Sequence, residues 1–285
     1  MLFLFRGGNM DNSKFLYKNK IKNRIFEIDL FRGVAVLFMI FDHLVYNFWD
    51  VLPMVFSDYP KNGTLTMKLF QWSWLYWGWD IRIIVRYIIV FIFLGLVGVC
   101  ASFSKRNLKR GTQLMGLSLL LSLGSFVVAK VTSNFTMLIA FGTLHCIALS
   151  LIVIGLLDNL IKNKWAYLII GVIMVGLGIY FEINSYVTSF GEENFFVILF
   201  KQIVGIAEAG GDTMAFLFNG GQVFIGVFIG KLLYSERRSI ISEKYNDNII
   251  TMIGRNSLVI YFLHQIIIPI ILSVFLLMAG YTLSI

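Results

Sequence analysis

Long apolar runs recur along the chain, separated by short polar or basic segments. A helix needs about twenty mainly apolar residues to cross hydrocarbon. On that spacing the sequence predicts seven spans, at 28–49, 83–104, 111–130, 135–157, 165–181, 213–234 and 256–278. The expected fold class is an all-α, polytopic transmembrane helix bundle. Two intervening segments are long. Residues 50–82 gather Trp72, Trp74, Trp77 and Trp79 within eight positions. Tryptophan prefers the headgroup layer, so this segment is expected on the outer surface. Aromatic faces also stack on sugar rings, so its functional reading is a lid or an acceptor platform. Residues 182–212 contain FFVILFKQIVGIA, flanked by Glu192, Glu193 and Glu208. An interfacial or re-entrant helix over 192–209 is expected there; an eighth span would return the C-terminus to the cytoplasm. No repeat, low-complexity stretch or second folded domain interrupts the pattern. The organisation is a basic cytoplasmic segment, 1–27, followed by one membrane-embedded domain, 28–285.

Composition and charge narrow the class. Hydrophobic residues make up 58% and charged residues 14%, and the mean hydropathy is +0.80. Soluble domains carry about 25% charged residues, so a water-soluble enzyme and a disordered chain are both excluded. The net charge of +8 does not point to nucleic acid, because the basic residues gather at span ends. With the N-terminus in the cytoplasm, Lys14, Lys18, Lys20, Lys22, Arg24, the KRNLKR segment at 105–110, Lys162, Lys164, Lys231, Arg237, Arg238, Lys244 and Arg255 all fall inside. The outer segments then hold Asp50, Asp58, Asp80, Glu182, Glu192, Glu193, Glu208 and Asp212, as the positive-inside rule requires. No short apolar core with a small-residue cleavage site precedes position 28, so the first span is expected to act as an uncleaved anchor; Met10 is an alternative start to Met1. Cys100 and Cys146 fall inside apolar runs and read as packing residues.

Ionisable groups inside spans carry the candidate chemistry. The first span holds Asp29, Arg32, Asp42 and His43. Arg32 and His43 are eleven residues apart, about three helical turns and roughly 16 Å, and lie on nearly one face. Asp29 shares that face, three residues before Arg32, and is placed to pair with it. Asp42 points roughly 100° away from His43 and adds a second titratable group beside it. The histidines are His43, His145 and His264, and all three fall in expected spans. They lack short metal-ligand spacing, so no metal site is expected. General-base work by one imidazole, with the others binding or bonding, is the more economical reading. For His145 and His264 an interhelical hydrogen bond competes with a direct role.

These residues carry a resemblance. RIFEIDLFRGVAVLFMIFDH (24–43) resembles the opening of the bacterial membrane family built on the heparan-α-glucosaminide N-acetyltransferase catalytic domain. FGTLHCIALS (141–150), GGQVFIGVFIGKLLY (220–234) and GRNSLVIYFLHQ (254–265) are similar to its middle, glycine-rich and terminal segments. The Phe-Pro-Trp-type motif before the glycine-rich helix reads AFLFNGG here (215–221). Arg32 and His43 also resemble the Arg-x10-His signature of the wider integral-membrane acyltransferase superfamily. The resemblance implies a multi-pass enzyme of the bacterial plasma membrane. It would move an acyl group, typically acetyl, from cytoplasmic acyl-CoA to a sugar or lipid-linked glycan of the cell envelope. It implies His43 and Asp42 as catalytic residues and Asp29 and Arg32 at the donor site. His145, His264, Gln265 and Arg86 would support the site or bind the acceptor. Acetyl-CoA or another acyl-CoA is then a co-substrate, with no bound cofactor and no nucleic-acid partner; membrane lipid surrounds the chain, and a homo-oligomer is compatible with the sequence. The basic mouth of Arg24, Lys105, Arg106 and Arg255 suits the phosphates of coenzyme A.

A proton-coupled transporter or flippase is the competing class, because intramembrane Asp, Arg and His also serve transport; no inverted repeat supports it. A non-catalytic scaffold leaves three buried histidines unexplained. Orientation is the first measurable consequence. Reporter fusions at Asn107 and Asn163 should read cytoplasm, and fusions at Asn62 and Asn194 should read exterior. A cytoplasmic Asn194 would overturn the orientation of the second half.

Overall fold

The computed structural model describes residues 24–131, 133–190, 193–241 and 247–284. The expectations placed on Lys14 to Lys22, Glu192 and Lys244 lie outside the described residues. The helices are α1 (Phe26–Tyr46), α2 (Leu52–Val55), α3 (Leu65–Trp77), α4 (Asp80–Ser102), α5 (Asn107–Val131), α6 (Thr143–Leu157), α7 (Lys164–Ile183), α8 (Phe195–Val204), α9 (Phe216–Leu233), α10 (Ile249–Arg255) and α11 (Ser257–Met278). A π-helical stretch, Asn47–Val51, continues α1. Among the described residues the paired strands are a two-residue parallel pair, β1 (Tyr186–Val187) with β2 (Ala207–Glu208), besides isolated bridges. The all-α polytopic bundle expected from the hydropathy pattern is the fold.

Five helices are long and apolar enough to cross a bilayer unaided: α4, α5, α7, α9 and α11. The other two expected spans differ for physical reasons. Helix α1 has 21 residues but carries Glu27, Asp29, Arg32 and Asp42. Helix α6 has only 15 residues. The expected span 135–157 is therefore corrected. Residues 135–137 form a 3-10 turn capped by the Asn134 side chain, and regular helix starts at Thr143. Apolar character alone cannot tell an extended entry from a helical one. Most of α6 is buried, so neighbouring helices rather than lipid surround it. In the segment 182–212, α8 has 10 residues, about 15 Å of helix. That is too short to cross, in line with the expected interfacial or re-entrant element. Asn194 caps it, and Gly205 ends it in the left-handed region at φ 99°, as helix C-termini commonly require.

Helix α9 is the axis of the bundle, and its sequence explains why. At Gly226 an added Cβ would sit 2.1 Å from the Gly95 carbonyl oxygen of α4. The two backbones touch there, the close approach that small residues permit inside membranes. A second such contact joins α10 to α1, where a Cβ on Gly254 would sit 1.8 Å from the Asp29 carbonyl oxygen. The main core, including Ala35, Val36, Leu94, Leu144, Ile154, Tyr167 and Phe224, lies where α1, α4, α6, α7 and α9 meet.

Residues 281–284 close one end of the bundle. Phe56 and Leu283 pair as an antiparallel bridge, and the Thr282 amide donates to Asp58 Oδ1 at 2.9 Å. Lys61 pairs with Asp58 at 2.8 Å. The Lys61 hydrogen bond, followed by that from Thr282, holds the Asp58 carboxyl below its ordinary range. Tyr281 packs edge-on to Phe56. This cluster lies beyond the C-terminal end of α1, whereas α10, which leads into α11, lies against its N-terminal half. The described chain thus starts at one end of the bundle and finishes at the other.

The crossing at Gly226 has a measurable cost. Gly226→Ala should destabilise the detergent-solubilised protein by roughly 1–3 kcal/mol, the usual range for overpacking. Gly116 on α5 has nothing within 4 Å of an added Cβ, so Gly116→Ala should be neutral or stabilising by up to about 1 kcal/mol. Thermal unfolding of both variants checks the pair, and equal losses would remove the close-contact argument.

Candidate functional site

His43 and His264 meet in the middle of the bundle. His43 Nδ1 lies 2.6 Å from His264 Nε2, with the rings stacked at 4.9 Å between centroids and 15° apart. Both helices are irregular beside this contact. Immediately beyond α1 the backbone widens into the π-helical stretch, and the Asn47 side-chain amide donates to the His43 carbonyl at 2.7 Å. Pro269 lies inside α11. It has no N–H to offer the Gln265 carbonyl one turn back, which loosens the helix next to His264.

The hydrogen-bond network assigns the ring protons. His264 Nδ1 faces the Ile260 carbonyl at 3.2 Å, and a carbonyl only accepts, so Nδ1 carries the hydrogen. In the neutral ring His264 Nε2 is then the acceptor, and His43 Nδ1 must donate to it. The remaining nitrogen, His43 Nε2, is left unprotonated with a lone pair. A backbone carbonyl, one imidazole and a second imidazole thus form a relay that presents a base at its end. Tyr261 packs against His264 at 5.5 Å between ring centroids, and its hydroxyl takes a long bond from Gln265 Nε2 at 3.5 Å.

Asp42 is bound from outside its own helix. Arg82 Nε and Nη2 reach its two carboxylate oxygens at 3.0 and 2.7 Å, and Tyr76 donates to it at 3.1 Å. The Arg82 guanidinium lies over the Trp77 ring, 3.5 Å from its centroid, a favourable cation–π arrangement. Arg82 is only 5% exposed. Arg86 lies one turn further along the same face of α4, where its charge acts on His43. A second carboxylate, Asp212, also lies near enough to act on His43. Asp212 sits on the N-terminus of α6. It accepts the Thr143 amide at 2.9 Å and the Thr143 hydroxyl at 3.2 Å, the favourable end of a helix dipole for an anion. Thr143 also reaches the Tyr261 hydroxyl, which joins this carboxylate to the histidine pair.

His145 stands apart from the other two histidines. It lies in the first turn of α6, not mid-span, with Nε2 3.0 Å from Ser122 Oγ and Nδ1 accepting the Gly142 amide at 3.3 Å. Toward the other end of α1, Asp29 is paired with Arg24, at 3.0 and 3.2 Å, so the expected Asp29–Arg32 pairing is corrected. Arg24 enters from just before the helix and takes both carboxylate oxygens. Arg32 is left with a 4.0 Å contact from Nη1 to Cys100 Sγ. Its buried Nε has no hydrogen-bond partner among the described residues. In the basic mouth, Arg255 is paired with Asp247 at 2.6 Å, while Lys105 and Arg106 are exposed.

Beyond the C-terminal end of α1, Trp49, Trp74, Leu75, Trp77 and Gly78 line a cavity of about 390 Å³. Trp77 is also packed on Tyr46 at 5.1 Å, and Tyr46 follows His43 by less than one turn. The cavity wall therefore lies about one helical turn from the imidazole. Trp72, Trp74 and Trp79 are about half exposed.

Sequence reasoning missed Arg82, Tyr76, Thr143 and Asp212. Arg82 had a usable signal, a cation four residues from Arg86 at the head of an apolar run. Asp212 had none, because in sequence it was one of several outer acids.

The heparan-alpha-glucosaminide N-acetyltransferase catalytic family model matches residues 24–266, which take in the Arg32–His43 stripe, the α6 segment and the His264 segment. No curated protein and no solved structure matches the chain. The family match spans most of the described bundle and every candidate side chain assembled above, and on that ground the chain belongs to the heparan-alpha-glucosaminide N-acetyltransferase catalytic family of membrane acetyltransferases.

Proposed function

We propose that this protein transfers an acyl group, typically acetyl, from cytoplasmic acyl-CoA to a sugar hydroxyl or amine at the outer face, with His43 as general base. The observation that carries the reading is the relay from the Ile260 carbonyl through His264, which leaves His43 Nε2 free to accept a proton. In this reading the acceptor oxygen or nitrogen attacks the thioester carbonyl carbon while His43 Nε2 takes its proton. The carbon–sulfur bond then breaks, and the proton passes to the departing coenzyme A thiolate. Arg86 is the nearby cation available to the developing oxyanion. Asp42, held by Arg82 and Tyr76, fixes the backbone next to His43 rather than moving a proton itself.

Arg32 is proposed to hold the donor. Its orphaned Nε has the donor geometry for a phosphate or carbonyl oxygen, and it lies about 16 Å below His43, a span of the order of a pantetheine arm. Lys105 and Arg106 suit the nucleotide phosphates. The aromatic cavity near Trp49 and Trp74 is proposed to receive the sugar ring, and the N-terminus of α1 faces the cytoplasm, as the Lys/Arg bias requires.

Purified protein in lipid, given radiolabelled acetyl-CoA and envelope extract, should yield labelled glycan or lipid. Movement of substrate without transfer would favour the transporter class instead. His43→Gln should lose at least about 10²-fold in transfer while inserting normally and still binding coenzyme A. Near-normal transfer by that variant would reduce His43 to a packing residue. His264→Gln keeps an oxygen that accepts from His43 Nδ1, so it should retain clearly more activity than His264→Leu, with both binding coenzyme A equally. Equal loss in the two variants would remove the relay. Arg32→Ala should weaken coenzyme A binding far more than it lowers thermal stability, and Arg32→Lys should restore it only in part, because a point charge lacks the bidentate fork.

A further inference from the structure

A second cavity, of about 710 Å³, lies between the later half of α5, residues 135–140, Phe190 and α8. Its size is within the range of small-ligand sites. Leu119, Leu123, Phe126, Phe135 and Phe195 form much of its wall, and the one hydroxyl among the lining residues is that of Ser122. None of the described lining residues is charged. It is continuous with the lipid-facing surface of α5, where Leu120 and Val127 are more than half exposed. It also lies toward the end of α5 remote from the basic 105–110 segment, so an occupant enters from the leaflet opposite the coenzyme A mouth.

The hydrogen bonds at Ser122 give this groove a polar floor of one sense. His145 Nδ1 accepts the Gly142 amide, so the neutral ring carries its hydrogen on Nε2 and donates it to Ser122 Oγ. His145 therefore does not draw a proton from Ser122, and the pair is not an activated nucleophile. The Ser122 hydroxyl hydrogen instead remains to be donated to an oxygen in the groove. From His145, two residues along α6, Thr143 leads to Asp212 and to Tyr261, beside the histidine pair.

We infer that this groove seats the hydrocarbon chain of a lipid-linked acceptor, whose linking oxygen accepts from Ser122 while its sugar is presented toward His43. The inference rests on the acyltransferase reading and adds the acceptor's chemical class to it. Apolar walls at hydrocarbon depth, an opening onto the bilayer and one oriented donor at the floor suit an amphiphile with a single chain. A free sugar would leave the walls unfilled, and a soluble peptide would leave its amides unpaired in hydrocarbon.

The test uses the full chain in lipid nanodiscs and n-alkyl β-glucosides of increasing chain length, one member carrying a diazirine on its chain. Photolabel should map to residues 119–126, 135–140 and 190–199. Label spread evenly over the other lipid-facing helices, α7 and α11, would mean bulk lipid only and would overturn the inference. Cross-links between two copies at the groove, with no glucoside label there, would make it a protein interface and would equally overturn it. Half-saturation of groove labelling, expressed per glucoside in the bilayer, should be lowest at the chain length that fills the groove and rise for longer chains. Partition into the bilayer is common to all variants and cancels in the ratio to the unaltered protein. Leu123→Trp should flatten that chain-length dependence and Phe126→Ala should shift it to longer chains; an unchanged dependence in both counts against the groove. Ser122→Ala should weaken half-saturation of labelling about fivefold. Groove labelling without acetyl transfer to any glucoside would leave the lipid site standing while removing the acyltransferase reading, so the two failures are distinguishable.

Discussion

A carboxylate enclosed by helices needs a countercharge within the protein, and the buried Arg82 supplies it to Asp42, whose side chain is 21% exposed. Removing Asp42 would leave the Arg82 guanidinium buried without its partner, so the pair ties together the two helices that carry it. The bidentate geometry also fixes the relative rotation of α1 and α4. Tyr76 joins from the end of α3, and Trp77 lies under the guanidinium, so the outer aromatic roof is fastened to the same point. His43 follows Asp42 by one residue and is turned by about 100°, away from the pair and toward α11. The placement of the imidazole is thus a consequence of satisfying the neighbouring charge.

Rigid and irregular backbone are divided across the bundle. Around α9, helices pack backbone to backbone through glycine, and the Gly226 crossing leaves no room even for a methyl group. Around the histidine pair the backbone departs from the α-helix, with a π-helical stretch after α1 and a proline inside α11. Non-helical backbone is tolerated at membrane depth only where protein or a cavity satisfies it. Asn47, which donates to the His43 carbonyl, provides such satisfaction. The glycine-packed side holds the helices in register, so the loosened side keeps its geometry.

The two helices least suited to lipid hold many of the candidate site residues. Helix α1 carries Glu27, Asp29, Arg32 and Asp42, and α6 has only 15 residues; between them they hold His43, Asp42, Arg32, Thr143 and His145. Length and apolar character are relaxed where neighbouring helices replace lipid. The distribution of polarity among the spans therefore marks the interior of the bundle before any contact is considered.

The sequence by itself determined the all-α polytopic class, and the five helices long enough to cross fall on expected spans, because apolar run length is a one-dimensional property that hydrocarbon thickness reads directly. It also determined the Arg32–His43 stripe, since both residues lie on one helix of fixed period. It favoured an interfacial or re-entrant helix over 192–209 from the flanking acids, and the structure supplied the 10-residue length that is too short to cross. Only the tertiary structure decided which groups meet. His43 and His264 are 221 positions apart, and nothing in either segment specifies the other as partner. Asp29 had two arginines within reach, and the path of the chain before α1 gave it to Arg24. Residues 135–142 are as apolar as a span, yet they are not regular helix; the Ile139 amide is taken by the Ser125 side chain instead. Asp212 read as one outer acid among several until the loop before α9 brought it onto the first turn of α6. In each case the deciding term was a pairwise contact between distant segments, made where a buried polar group had to find a partner, and local sequence carries no record of that choice.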